Sequence, residues 1–315
     1  MKRRKILVTG AKGQIGSELV PLLREKYGEE SVISSDIKPR EEGDAPYELL
    51  DVTDGKKLAE VVDKHNIGIV YHMAAILSAA GEKNPQLAWK VNVGGLYNVL
   101  EVAREKGLER VFIPSSIAAF GPETPRVNTP QDTVLKPRTI YGVSKVVGER
   151  LGEYYFWKYG LDVRGVRYPG IISSKTLPGG GTTDYAVEIF YEALKHRKYT
   201  AFLKPETRLP MMYMPDCLKA TLMLMEAPLD NLKHHTDFNV AGMSFSVEEL
   251  AMEIKKRIPD FEITYEPDYR QAIADSWPES VDDSAAREEW GWSPDYDLPS
   301  MVDDMLEKLR KKLGV

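Results

Sequence analysis

A chain of 315 residues, 43% hydrophobic and 29% charged, can bury one large core with a smaller appended lobe and has the mix of an ordinary globular protein. Its formal net charge of −6 argues against a nucleic-acid partner, which calls for a basic face. No stretch approaches the ~18 apolar residues of a membrane span, and the single cysteine, Cys217, excludes an intrachain disulfide and suits a reducing, cytoplasmic setting.

The basic start, Met1-Lys2-Arg3-Arg4-Lys5, reads as a solvated lead-in, because the apolar run Ile6-Leu7-Val8 is too short for the core of a signal peptide. Residues 5–9 read as a buried strand. Gly10-Ala11-Lys12-Gly13-Gln14-Ile15-Gly16 follows directly, and then a helical pattern in Leu19, Val20, Leu22 and Leu23. Strand, glycine turn and helix form the context that makes a dinucleotide-binding motif credible, although the spacing is G-x-x-G-x-x-G. Glycine lets the backbone approach a pyrophosphate, and a helix N-terminus offers N–H groups and partial positive charge. A second strand, 31–35, ends at Asp36. An acid there accepts hydrogen bonds from a ribose and repels a 2′-phosphate, favouring NAD, while Lys38 and Arg40 keep NADP open.

Residues 47–50 form a short third strand ended by Asp51-Val52-Thr53-Asp54, of which Thr53 or Asp54 caps a helix over 55–65. A fourth strand, 67–71, runs into His72-Met73-Ala74-Ala75-Ile76, whose small residues suit a floor beneath a ligand. His72 is read as a packing residue. A long helical pattern over 85–106 contains Asn92, and a fifth strand, 110–113, delivers Ser115 and Ser116 to the edge where open α/β sheets place ligands.

After a proline-punctuated loop over 121–137, Thr139 caps a helix over 141–159. Tyr141 and Lys145, four apart, share one face of it. A nearby ammonium favours the phenolate and lowers a phenol pKa of ~10, making the pair a candidate general base. On spacing alone the pair is as readily surface decoration. A sixth strand, 162–167, precedes Tyr168-Pro169-Gly170-Ile171. The alternation predicts an α/β fold: a Rossmann-like, doubly wound parallel sheet over 1–172, with returning segments, and a smaller mixed α/β substrate lobe over 173–315. In that lobe Pro178-Gly179-Gly180-Gly181-Thr182-Thr183-Asp184 precedes a helix over 185–194, a candidate carboxylate or phosphate site or simply a capped loop. Strand 211–214, helix 216–227, strands 238–240 and 262–265, and helices 246–257, 283–290 and 300–313 complete the chain, with Trp277-Pro278 in a loop.

Thr9-Gly-x-x-Gly-x-x-Gly16, Asp36, Ala74-Ala75, Asn92, Ser115-Ser116 and Tyr141-x-x-x-Lys145, in that order, resemble the extended short-chain dehydrogenase/reductase superfamily. The resemblance implies NAD held by Gly10, Gly13, Gln14, Ile15, Gly16, Asp36, Asp51, Val52, Ala74, Ala75, Asn92, Tyr141, Lys145 and Tyr168. It assigns Ser116 and Tyr141 to the substrate oxygen, with Lys145 bridging the nicotinamide ribose and the tyrosine. The segments 72–83, 120–125, 167–173, 181–188, 209–216 and 277–280 look like the short-chain type of L-threonine 3-dehydrogenase.

That likeness implies oxidation of the L-threonine β-hydroxyl to 2-amino-3-oxobutyrate, with Tyr141 as base, hydride passing to nicotinamide C4 and Ser116 holding the oxygen. Candidate substrate contacts are Ser78, Ser115, Ser116, Tyr141, Thr182, Thr183 and Trp277, and no metal is called for. A homodimer through helices 85–106 and 141–159 is also implied, with Tyr155 and Phe156 in the interface. Two alternatives stand beside this reading. A nucleotide-sugar 4-epimerase or dehydratase with tightly held NAD would want cations where 210–215 is apolar, with only Arg208 nearby. A non-catalytic dinucleotide-binding regulator would not need Ser116, Tyr141 and Lys145.

Overall fold

The computed structural model describes residues 5–177 and 179–315; the basic lead-in at 1–4 and Pro178 lie outside the described residues. β1 (Lys5–Thr9), β2 (Val32–Asp36), β3 (Tyr47–Leu49), β4 (Ile67–His72), β5 (Arg110–Phe112) and β7 (Asp162–Arg164) form a six-stranded parallel sheet in the order β3-β2-β1-β4-β5-β7. β6 (Ser115–Ser116) leaves that sheet. Strand order reverses between β1 and β4, and the crevice at the carboxyl ends of those strands is where such sheets bind ligands.

Helices α2 (Gly55–His65), α5 (Leu96–Lys106) and α6 (Ile140–Tyr159) share one core with Leu7, Ile33, Val70, Val111 and Val163. α1 (Gly16–Tyr27) and α8 (Met214–Glu226) share another with Ile6, Val8 and Tyr71. Both faces of the sheet are therefore buried, as the near-continuous apolar strands require. Phe238, Trp290 and Trp292 join the α1/α8 core, so late segments of the chain pack on the first strand.

The predicted sixth strand is two strands. β7 stays in the large sheet, whereas β8 (Val166–Tyr168) pairs with β6 and with β12 (Phe238–Asn239). The chain changes partners at Gly165: Arg164 O accepts from Ile113 N, but Gly165 N donates to His235 O. The helical pattern over 85–106 is likewise broken into α4 (Pro85–Trp89), a π-helical turn (Lys90–Gly95) and α5, and a short helix, α3 (Ser78–Lys83), precedes it. β9 (Gly170–Ile172), β11 (Arg208–Tyr213) and β13 (Met243–Ser246) form a second mixed sheet; β10 (Lys198–Ala201) pairs with β14 (Glu262–Tyr265). α7 (Tyr185–His196), α9 (Val247–Lys255) and α12 (Leu298–Leu313) pack around them, with the short α10 (Arg270–Ala274) and α11 (Ser284–Trp290) between.

Candidate active site

The glycine turn is tight where it must be. Gly10 sits at φ +65°, and a Cβ there would lie 2.6 Å from the Ala74 nitrogen, so backbone alone fills the gap between β1 and β4. α1 opens without a side-chain cap, its N-cap being Ile15. The amides of Ser17 and Glu18 already donate to the Gly13 and Ile15 carbonyls, so what the turn offers a pyrophosphate is close backbone approach and the positive end of the helix. Gly10, Gly13, Gln14, Ile15 and Gly16 line one wall of a cleft of about 980 Å³, counted to its open mouth. The opposite walls carry Ala75, Ser78, Ser115, Ser116, Tyr141, Lys145, Tyr168, Thr182, Thr183 and Trp277.

The other cofactor candidates stand outside this cleft. Asp36 is buried with its oxygens accepting the amides of Lys12 (2.9 Å) and Lys38 (3.2 Å). Asp51 is exposed and caps its own turn through Thr53 N, and Val52 is buried with its carbonyl accepting from Asn98. Ala74 and Asn92 line a smaller recess behind Lys145. In the π-helical turn the Asn92 amide binds both backbone groups of Ile76 and donates to Ser144, which ties the floor to α6.

Thr139 caps α6 by accepting from Gly142 N, and this sets Tyr141 at the cleft wall beside Ser116. Ser116 stands beside the phenol in the cleft and its hydroxyl accepts from Ala118 N. Burial pushes the Tyr141 phenol up to about 12, against the opposing pull of Ser116. The expected lowering by Lys145 is not what the protein alone provides. The lysine Nζ donates to the Pro114 carbonyl at 2.7 Å and sits 5.2 Å from the tyrosine ring centroid. Desolvation brings Lys145 down to about 8, opposed by the carboxylate of Glu149.

The two serines separate. Ser115 donates its hydroxyl to Glu149, a buried carboxylate also gripped by Arg167 through two nitrogens at 2.9 Å. Its one proton is used inside the protein, so toward a ligand in the cleft Ser115 can only accept. His72 accepts or donates with Thr9 at 2.9 Å, and burial keeps it neutral, down to about 3.

On the substrate side the Ser78 hydroxyl lies 3.2 Å from that of Thr182 and accepts from Thr182 N, joining α3 to the start of α7. The amides of Gly180 and Gly181 donate to the Asp184 carboxylate at 2.8 and 2.7 Å. The glycines are therefore not free donors for an anion, and the hydroxyls of Ser78, Thr182 and Thr183 remain. Trp277 is buried and contributes both to the cleft wall and to the core around α7, α9 and α12. Met73, Leu77, Ile117, Pro169 and Ile171 also line the cleft without having been singled out. Their one signal in the sequence is adjacency to the ends of predicted strands.

Comparison with known proteins places this geometry. Residues 6–241 match the model of the NAD dependent epimerase/dehydratase family. The chain is 53% identical over 308 residues to the mitochondrial L-threonine 3-dehydrogenase of Bos taurus, covering 96% of this chain and 82% of that one. Among solved structures it is similar to the holo form of an L-threonine dehydrogenase from Cupriavidus necator (56% identity, TM-score 0.95, 97% and 99% of the two chains). It is also similar to a monomeric L-threonine 3-dehydrogenase from a metagenome (51% identity, TM-score 0.95, 98% and 99%). The chain belongs to the NAD-dependent epimerase/dehydratase family, within the extended short-chain dehydrogenase/reductases.

Proposed function

We propose that the protein oxidises L-threonine at its β-hydroxyl to 2-amino-3-oxobutyrate with NAD as oxidant. The observation that carries this is one cleft lined both by Tyr141, Ser116 and Lys145 and by the hydroxyl residues Ser78, Thr182 and Thr183. The glycine turn fits a dinucleotide: Gly10 leaves room only for backbone, and α1 opens uncapped. Bound NAD supplies the hydride acceptor.

Tyr141, as phenolate, takes the hydroxyl proton, and Ser116, its own oxygen already accepting from Ala118, donates to the substrate oxygen as it becomes a ketone. Lys145, buttressed by Pro114, holds positive charge beside the ring. Ser78, Thr182 and Thr183 receive the amino-acid carboxylate, and Trp277 closes the wall. Against a nucleotide-sugar epimerase, Arg208 is committed to Glu249 and to the Ser244 carbonyl, and Met211, Met212 and Met214 are buried.

The test is absorbance of NADH appearing with L-threonine, with UDP-galactose as control and a panel of β-hydroxy amino acids beside it. NADH formation with threonine is the expected result. No NADH with any amino acid, together with epimerisation of the control, sinks the reading. Reduction of NAD with no preference among the panel would make it too narrow. A cytoplasmic setting and a homodimer through α4, α5 and α6 belong to the same proposal; cell fractionation tests the first.

A further inference from the structure

The short loop between β2 and β3 has no part in the chemistry above, yet it is built with care. Buried Arg24 reaches up from α1 and donates to the carbonyls of Asp44 (2.9 Å) and Pro46 (3.0 Å). Ser34 bonds the same two carbonyls, and Tyr47 donates to Lys38 O. Asp44 in turn accepts Glu41 N at 2.7 Å, so the two acids are fixed relative to each other.

What they hold is Lys12, from the middle of the glycine turn. Its Nζ lies 2.9 Å from Glu41, 3.0 Å from Asp44 and 2.7 Å from the Pro39 carbonyl, 5.5 Å from the Tyr47 ring centroid. Its side chain is only 13% exposed. Yet the amide of the same Lys12 donates to Asp36, the acid at the adenine-ribose position. Lys12 is therefore, with Lys38, one of two cations whose amides touch Asp36, and the one whose side chain is turned away into the loop. A 2′-phosphate arriving there needs such a cation to offset the carboxylate, and a lysine with three acceptors around it is not available as a point charge.

We propose that Glu41 and Asp44 are specificity residues: by withdrawing Lys12 from the edge of Asp36 they reinforce the choice of NAD over NADP. The inference rests on the dinucleotide reading of the cleft. Selection then has two layers, repulsion by Asp36 and withdrawal of one of the two lysines whose amides touch it.

The test is isothermal titration of NAD and of NADP into the full-length protein, read as the ratio of their dissociation constants. In Glu41→Gln/Asp44→Asn the NADP/NAD ratio should fall by about fivefold, the scale of one exposed charged contact. Adding Lys12→Ala to that variant should restore the original ratio. If Asp44→Asn unfolds the loop, Glu41→Gln alone should move the ratio the same way by about twofold. A ratio that does not move, or a fall that persists without Lys12, overturns the proposal. Failure of the unaltered protein to bind NAD at all would instead overturn the function proposed above.

Discussion

At the scale of the residue, the proposal puts turnover on the phenol of Tyr141. Tyr141→Phe removes one oxygen from a buried ring and leaves the glycine turn untouched. The expected outcome is a fall in kcat of about 10²- to 10⁴-fold with NAD still bound, read by stopped-assay turnover and by titration. Lys145 is the subtler case. Three titratable groups face it: Tyr141 and Glu149 from its own helix, and His72 from β4, which burial keeps neutral. Desolvation lowers the lysine to about 8 and Glu149 alone opposes this. Removing that negative charge with Glu149→Gln makes the ammonium harder to keep, so its pKa falls further. Activity that needs the charged lysine should then disappear at lower pH. The alkaline limb of kcat/KM against pH moves down by about one unit. A purely structural role for Glu149 would lower activity evenly and leave the limb in place.

At the scale of the element, α6 shows how two small residues aim a catalytic one. Thr139→Ala removes the cap at Gly142 N and should cost about 1 kcal/mol of stability, read from a denaturant midpoint. Gly142→Ala acts differently: a Cβ there would lie 2.1 Å from the Ala118 carbonyl and 2.6 Å from Pro137 Cβ. The helix start must shift away from the turn that carries Ser116, at a cost of roughly 1–3 kcal/mol. We expect kcat to fall while NAD affinity holds. The cap was legible because Thr139, Tyr141 and Lys145 are a local pattern, as were the glycine turn after β1 and the run of buried strands. What the sequence hid depends on distant partners. The end of the sixth strand belongs to another sheet because His235 takes the N–H of Gly165 and Phe238 its carbonyl. Ser115 turns its proton to Glu149, which Arg167 holds, 34 and 52 residues away. Asp184 takes the glycine amides that a spacing argument leaves to an anion. Asn92 keeps its place but sits in a π-helical turn that periodicity reads as plain helix.

At the scale of the whole molecule, the outer face of α4, α5 and α6 carries more aromatic surface than a lone chain needs. Trp89, Tyr97, Tyr154 and Trp157 are exposed, Trp157 by 72%. The sequence had pointed to Tyr155 and Phe156. Tyr155 is instead buried, its hydroxyl donating to Glu101, and Phe156 is half-buried against His235. A shift of one residue on a helix turns a side chain by about 100°, so the neighbours Tyr154 and Trp157 take the outward positions. Exposed apolar patches of this kind mark interaction surfaces, and a second copy of the chain is the partner proposed for it. Sedimentation velocity should then give twice 35.5 kDa for the unaltered protein. Tyr154→Glu combined with Trp157→Glu places two charges in the contact and should return a species of single mass. None of these four aromatic residues lines the cleft, so the dissociated variant should keep its turnover. A relative described as monomeric accords with that independence. An unaltered protein that sediments as a monomer at all concentrations ends the dimer proposal but not the catalytic one; a dissociated variant that loses turnover means the contact also supports the cleft, through α6 and the tyrosine at its first turn.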